Sequence, residues 1–291
     1  MEYDNLIQGN SLTSVEKDEA VPPKMMKRLA EAYFSKVVCE IPCEYSVTSR
    51  QKVVMECVKM EGGQNYLYTL PIHGLGQTMT PKDYRAVLSY RLMIPIFAEG
   101  QACGGCNRFM MDQYGDHAVQ CKGDPGIKHR HDTVRDGLHD ILRRAGIASK
   151  KEADIGLGDK DGRLRPADIL VYGWVNGRHT CVDLTGNSPL VGFNGGPFDK
   201  ERGLRLASKK KFEKHELACS KAGYEFIPFC FTTFGGMGEE AKEFMKRVEK
   251  VTHHHLVCYN STKFVLHRLS FMIQKGVAAQ IVSRLPENFV D

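Results

Sequence analysis

The sequence predicts an α/β domain preceded by a small metal knuckle. Strand-like runs lie on both sides of an Asn176-Gly177 dipeptide, amphipathic helical patterns bracket those runs, and a Cys-x2-Cys pair followed by a histidine and a cysteine stands upstream. The chain has 291 residues, 42% of them hydrophobic and 26% charged, which excludes a mostly disordered chain and leaves enough apolar material for a core. The longest apolar runs, such as Ile169-Leu170-Val171-Tyr172, fall far short of the roughly 20 residues that span a bilayer, so no membrane partner is expected. The N-terminus carries Glu2, Asp4, Glu16, Asp18 and Glu19 against Lys17. A secretory signal would begin basic and then turn apolar, so an intracellular protein is expected.

Residues 1–20 read as a polar extension. Pro22-Pro23 precedes a helix from Lys24 to about Val38, and short apolar segments follow near Lys52–Met60 and Tyr66–Leu70. Gly74, Gly76 and Pro81 mark a loop. Tyr84, Val87, Leu88, Arg91 and Leu92 then give a helical spacing that Pro95 ends. Val134, Leu138, Ile141 and Leu142 share one face of a helix from about His129 to Ala145, with Gly146 as its C-cap. Strands are expected over Glu152–Leu157, Ala167–Val175 and Arg178–Leu184, the last two joined by Asn176-Gly177, a strong hairpin signal. A glycine-rich loop (Gly186–Gly203) leads to a basic helix over about Leu204–Ala222, then a strand over Tyr224–Phe231 and helices over Glu239–Val251 and about Thr262–Leu285.

The net charge of +5 is unevenly spread, with −4 in residues 1–20 and +9 in the rest. Between Lys200 and Lys221 stand eight basic and three acidic residues, a balance that suits a polyanion or a solvated helix face. Phosphate contacts are expected from Arg143, Arg144, Lys150, Lys151, Lys209 and Lys210.

Ten cysteines in a chain without a secretory signal read as metal ligands or core, not as a disulfide framework. Cys103-Gly-Gly-Cys106, His117 and Cys121 offer four soft ligands in a short span, as structural zinc requires, with glycines that let the turn fold under the ion. The alternative is a loop of buried free thiols. Cys39 and Cys43 lack partners at metal spacing, and Cys181, Cys219, Cys230 and Cys258 read as core. His253-His254-His255 reads as a helix-end loop, and Asp159-Lys-Asp161-Gly162 as a hairpin turn.

Taking Asn176-Gly177 as a two-residue turn pairs Val175 with Arg178, so that Asp168 faces Thr185 and Leu170 faces Asp183. Period-two alternation then puts Asp168 and Asp183 on one face as diagonal neighbours. Two converging carboxylates suit a hard divalent ion, magnesium or manganese, and Glu152 could add a third oxygen. Such a site can hydrolyse phosphodiesters, with a lysine from Lys209, Lys210, Lys211 or Lys214 adding positive charge at the transition state. The alternative is a pair of water-exposed edge-strand aspartates.

The ordered string Cys103-x2-Cys106, Gly115-Asp116-His117-Ala118, Cys121, Arg130-His131-Asp132, Arg165-Pro166-Ala167-Asp168, Asp183-Leu184-Thr185, Lys211-x2-Lys214-His215 and Phe226-x-Pro228 to Gly235-Gly236 resembles the C-terminal region of non-LTR retrotransposons that carry a restriction-like endonuclease. In those elements a CCHC zinc knuckle precedes a nuclease of the PD-(D/E)XK superfamily. The string closely resembles plant proteins of that descent, over about Leu67 to Leu285. The resemblance implies a restriction-endonuclease-like mixed sheet flanked by helices, with Asp168 and Asp183 binding the metal and Glu152 assisting. It also implies that the catalytic lysine has moved from the position of Thr185 to the following helix, where Lys211, Lys214 and His215 match a Lys-x-x-Lys-Tyr pattern with histidine in place of tyrosine. Arg130-His131 match an Arg-His-Asn element, with Asp132 in place of asparagine, and join the expected nucleic-acid contacts.

The organisation expected is an N-terminal extension over 1–65, a linker helix and knuckle over 66–127, and the nuclease domain with a C-terminal helix over 128–291. No reverse-transcriptase Tyr-x-Asp-Asp sequence occurs, so a domesticated or remnant protein is expected. The implied substrate is DNA, with RNA as the variant, and the implied location is nuclear rather than cytoplasmic. The alternative function is a co-opted module that binds nucleic acid or protein and regulates or harms its host cell, with the N-terminal extension as a surface for an unidentified protein partner.

Overall fold

The computed structural model describes residues 24–157, 165–255 and 261–286; residues 1–20, the Asp159–Gly162 turn and Cys258 lie outside them, as do the side chains of His253 to His255. The chain divides into two compact units, Met1–Lys52 and Val53–Asp291. In the first, α1 (Met25–Glu44) runs six residues past the expected end, continues through Pro42 and has no buried residue.

The second unit is mixed α/β. Its first segments are more helical than expected: α2 (Ser49–Val58) covers most of the first apolar segment and buries Val53, Val54 and Cys57, while Asn65–Tyr68 is one 3-10 turn. Next, α3 (Pro81–Leu92) starts with a capping box between Thr80 and Asp83, with Pro81 in its first turn. It stops at Met93, whose left-handed backbone (φ 60°) ends it before Pro95 is reached. A short α4 (Asp116–Gln120) follows, then α5 (Ile127–Arg144). Gly146 (φ 72°) closes α5 in the left-handed conformation, with its own amide bonded to Arg143 O and the Ile147 amide to Leu142 O.

The sheet has four strands in the order β1 (Ser149–Lys151), β2 (Ile169–Val175), β3 (Arg178–Asn187) and β4 (Glu225–Thr232). The first three are antiparallel; β3 and β4 are parallel, joined by α6 (Arg202–Lys221), with α7 (Glu239–His255) and α8 (Ser261–Val282) after them. The expected strand over Glu152–Leu157 is absent: β1 ends at Lys151, where Glu152 turns into left-handed backbone (φ 47°).

Alternation along β2 and β3 builds three layers. Ile169, Val171, Val182 and Leu184 join Val134, Leu138 and Ile141 of α5, Phe244 and Val248 of α7, and Leu269 and Ile273 of α8 in one core. Leu170 and Cys181 face the other way, against Cys219 and Phe212 of α6. A further core places the Cys103–Cys121 segment inside the second unit, where Cys103, Ala118, Val119 and Cys121 meet Tyr90 of α3 and Val277 and Ile281 of α8. Residues of the 66–127 segment thus share a core with the C-terminal helix.

The register differs from expectation in one informative way. Val175 pairs with Arg178 as the turn requires, but Val171 then pairs with Thr180, so four steps along β2 span two along β3. This bulge surrounds Gly173 (φ 60°), whose amide donates to His179 Nδ1. Beyond it Leu170 faces Cys181 and not Asp183, and continuing the same register sets Asp168 opposite Asp183 itself. The slip is even, so each side chain keeps its face.

Candidate active site and metal centre

Asp183 sits in the interior of β3 on the α6 side and is 4% exposed. Lys211 of α6 donates to its Oδ1 at 2.9 Å and stands 2.8 Å from Oδ2, and Nε2 of the buried His215 is 3.5 Å from Oδ2. Lys211 and His215 are one helical turn apart and so share a face of α6. Lys214 falls outside that face: it is exposed and bears on the site only electrostatically, through His215. His215 is held neutral, its pKa pushed down to about 4 by burial and then by Lys214 and Lys211, so its contact with Asp183 is no ion pair at neutral pH.

Asp168 precedes β2 at a bend. Its Oδ2 accepts the Leu184 amide at 2.6 Å and lies 3.0 Å from His131 Nε2, while His131 Nδ1 is 3.1 Å from Asp132. Burial raises the Asp168 carboxyl, but His131, the Leu184 amide and Asp183 together outweigh it and hold its pKa below the ordinary range. His131 moves the opposite way: burial lowers it, and the Asp168 and Asp132 carboxylates more than reverse that. For Asp183 burial wins over Lys211, with Asp168 adding to it, and the carboxyl is pushed up to about 6. The two abutting acids are thus driven apart in pKa, Asp168 down by its donors and Asp183 up by burial.

Two further expected site residues lie elsewhere. Glu152 reaches the site only through its backbone, its amide donating to Asp168 O at 2.9 Å. Its side chain is half exposed and paired with Arg135, so the third oxygen expected from it is directed away to α5. Arg130 is 1% exposed and cannot meet a phosphate: it donates to Val119 O at 2.8 Å, to Gln280 at 2.6 Å and to Gly186 O at 3.4 Å. It braces α4, α8 and β3 together. Of the other basic residues, Arg144 pairs with Asp140, Lys151 with Asp136 and Lys209 with Glu213, while Arg143, Lys150 and Lys210 are exposed.

The sulfur and imidazole atoms of Cys103, Cys106, His117 and Cys121 all lie within 4.8 Å of one another and can hold a metal ion such as zinc. Zinc–sulfur bonds of about 2.3 Å and zinc–nitrogen bonds of about 2.0 Å put tetrahedral ligands about 3.8 Å (S to S) and about 3.5 Å (S to N) apart. Cys103 and Cys121 are separated by 3.8 Å, and Cys106 and His117 Nε2 by 3.5 Å. Burial pushes the Cys103 thiol up, but the Cys106 and Gly105 amides, Arg284 and His117 bring it down to about 6, towards the thiolate a metal needs. Close packing excludes side chains at two of the glycines around the cluster: a Cβ on Gly123 would lie 1.9 Å from Gly105 O and one on Gly105 2.5 Å from the Arg284 guanidinium, whereas Gly104 has open space.

The structure also recruits residues that sequence reasoning missed. Asp112 accepts the amides of Tyr114, Asp116 and His117 at 3.0, 2.9 and 2.6 Å and so fixes the histidine's helical turn. Arg284, beyond the end of α8, donates to Gly123 O and Pro125 O behind the sulfurs. An aspartate two residues before a turn is a capping signal that could have been read; nothing local marks Arg284. No protein-family model matches this chain, and no curated protein matches it.

Proposed function

We propose that this chain is a divalent-metal-dependent endonuclease acting on DNA, of PD-(D/E)XK type and descended from the nuclease region of a non-LTR retrotransposon, with structural zinc in its four-ligand cluster. The observation that carries the reading is the meeting of Asp168 and Asp183, with Lys211 Nζ 2.8–2.9 Å from Asp183. The donor set suits magnesium or manganese: two abutting carboxylates, that of Asp183 buried beside Lys211. Bound there, such an ion supplies an acidified water and neutralises charge on the phosphate. The chain's own groups do the rest. His131 and the Leu184 amide keep Asp168 ionised and aimed, Lys211 holds positive charge beside the reacting phosphate, and Arg143, Lys150 and Lys210 offer salt-sensitive phosphate contacts. The nuclear location follows from the substrate. The test is nicking of supercoiled plasmid in magnesium or manganese. Wild-type protein should cut, and Asp168→Ala should not while keeping its thermal melt; a wild type inert on all DNA offered refutes the reading.

One observation favours the second reading, a co-opted binding module that regulates or harms its host. His131 and Lys211 already pair with the two carboxylates inside the protein. In that case Asp168→Ala keeps the cellular phenotype, and loss of the phenotype in that variant eliminates it.

A further inference from the structure

Beside the acid pair a cleft of about 570 Å³ opens between residues 187–199 and the first half of α6, and Thr185 and Lys211 line it on the side of Asp183. Its wall is apolar. Val191 and Leu206 are 61% and 49% exposed, and Phe193 and Phe198 meet edge to face, with ring centroids 5.9 Å apart. Its rim is basic, with Arg202 and Lys210 beside Lys211, while the lining acid Asp199 is already paired with Arg205. Asn187 adds a buried Oδ1 with no hydrogen-bond partner.

Apolar and aromatic surface framed by cations fits a ligand that has both phosphates and exposed flat faces. Duplex DNA presents the first and hides the second; an unpaired strand presents both. We propose that this cleft seats an unpaired nucleotide next to the phosphate being cut, so that the site takes DNA whose strand is single at that point. This inference rests on the nuclease reading and names its substrate class. The glycine-rich segment contributes by letting the backbone curve around the base, with Gly192 and Gly195 at φ 72° and 86°.

The test uses the full chain without added magnesium or manganese, so that binding is read apart from cutting. Fluorescence anisotropy compares a labelled oligo-dT with the same strand annealed to oligo-dA. Wild-type protein should bind oligo-dT about tenfold more tightly, the value of roughly one base stack. Val191→Thr combined with Leu206→Gln changes two exposed positions without altering charge and should erase the preference; Phe193→Ala, checked for folding, is the second probe. Equal affinity for both DNAs overturns the inference, as does a preference that survives both variants. Plasmid nicking in magnesium separates the two proposals: a protein that cuts DNA but shows no single-strand preference loses the cleft and keeps the nuclease, whereas one that shows the cleft-dependent preference but never cuts loses the nuclease and keeps the cleft.

Discussion

Replacing Asp183 by asparagine should make the protein more stable at pH 8. Burial lifts this carboxyl from an ordinary 3.8 to about 6 despite Lys211. At about 1.4 kcal/mol per pH unit, ionising it in the folded chain costs about 3 kcal/mol more than ionising it in the unfolded chain. The sign follows from a folded-state pKa above the unfolded one: the stability conferred by the protonated group is complete below the unfolded value of 3.8 and is lost as pH rises through about 6. Asparagine carries no charge at any pH and avoids that loss. Lys211 gives up its partner in the variant, but it is 27% exposed and can turn to water, which trims the gain to about 1–3 kcal/mol. Urea midpoints of wild type and Asp183→Asn, measured from pH 4 to pH 8 without magnesium or manganese, read this directly. The two proteins should converge near pH 4, separate between pH 4 and about pH 6, and keep a constant gap above that, with the variant ahead. A variant less stable at pH 8, or a gap that ignores pH, refutes the reasoning and makes the Lys211–Asp183 pair a net structural asset. A site residue whose removal stabilises the fold is kept for function.

Zinc content should be one ion per chain by elemental analysis, and Cys106→Ser should lose it with a lower thermal midpoint, because structural zinc contributes about 10 kcal/mol to forming its site; a full-length protein that stays metal-free in added zinc contradicts this. Arg130→Met should cost about 3 kcal/mol in urea unfolding, since it strips the Val119, Gln280 and Gly186 acceptors of a charged donor. Arg130→Lys should not restore it, because an ammonium cannot span the same fork. His131→Ala should move the acid limb of the cleavage profile to higher pH, because Asp168 loses the partner that holds its pKa down; an unmoved limb means that His131 does not set that ionisation.

The comparison of Glu152 with Asp183 shows where sequence reasoning gave out. Both are acids in a strand-rich segment, and alternation alone recruits both. Asp183 keeps its expected face because the bulge around Gly173 slips the register by an even number, leaving parity intact. Glu152 falls where β1 has already ended, and Arg135 of α5, 17 residues earlier in the chain, captures its carboxylate. The basic helix offers the same lesson: four lysines are equivalent in composition, and only the packing of α6 on the sheet chooses Lys211 over Lys214.

What the sequence determined by itself was local. Cysteine and histidine spacing, the Asn176-Gly177 turn, the apolar face of α5 and the common face of two aspartates all follow from periodicities that a backbone imposes within a few residues. Only the tertiary structure decided that Arg130 is buried, that the Cys103–Cys121 segment shares a core with α8, that His131 holds Asp168, and that a cleft lies beside the acids. Those depend on which helix lands on which face, a choice made by the burial of the whole apolar surface at once, and it leaves no mark on any single stretch of chain.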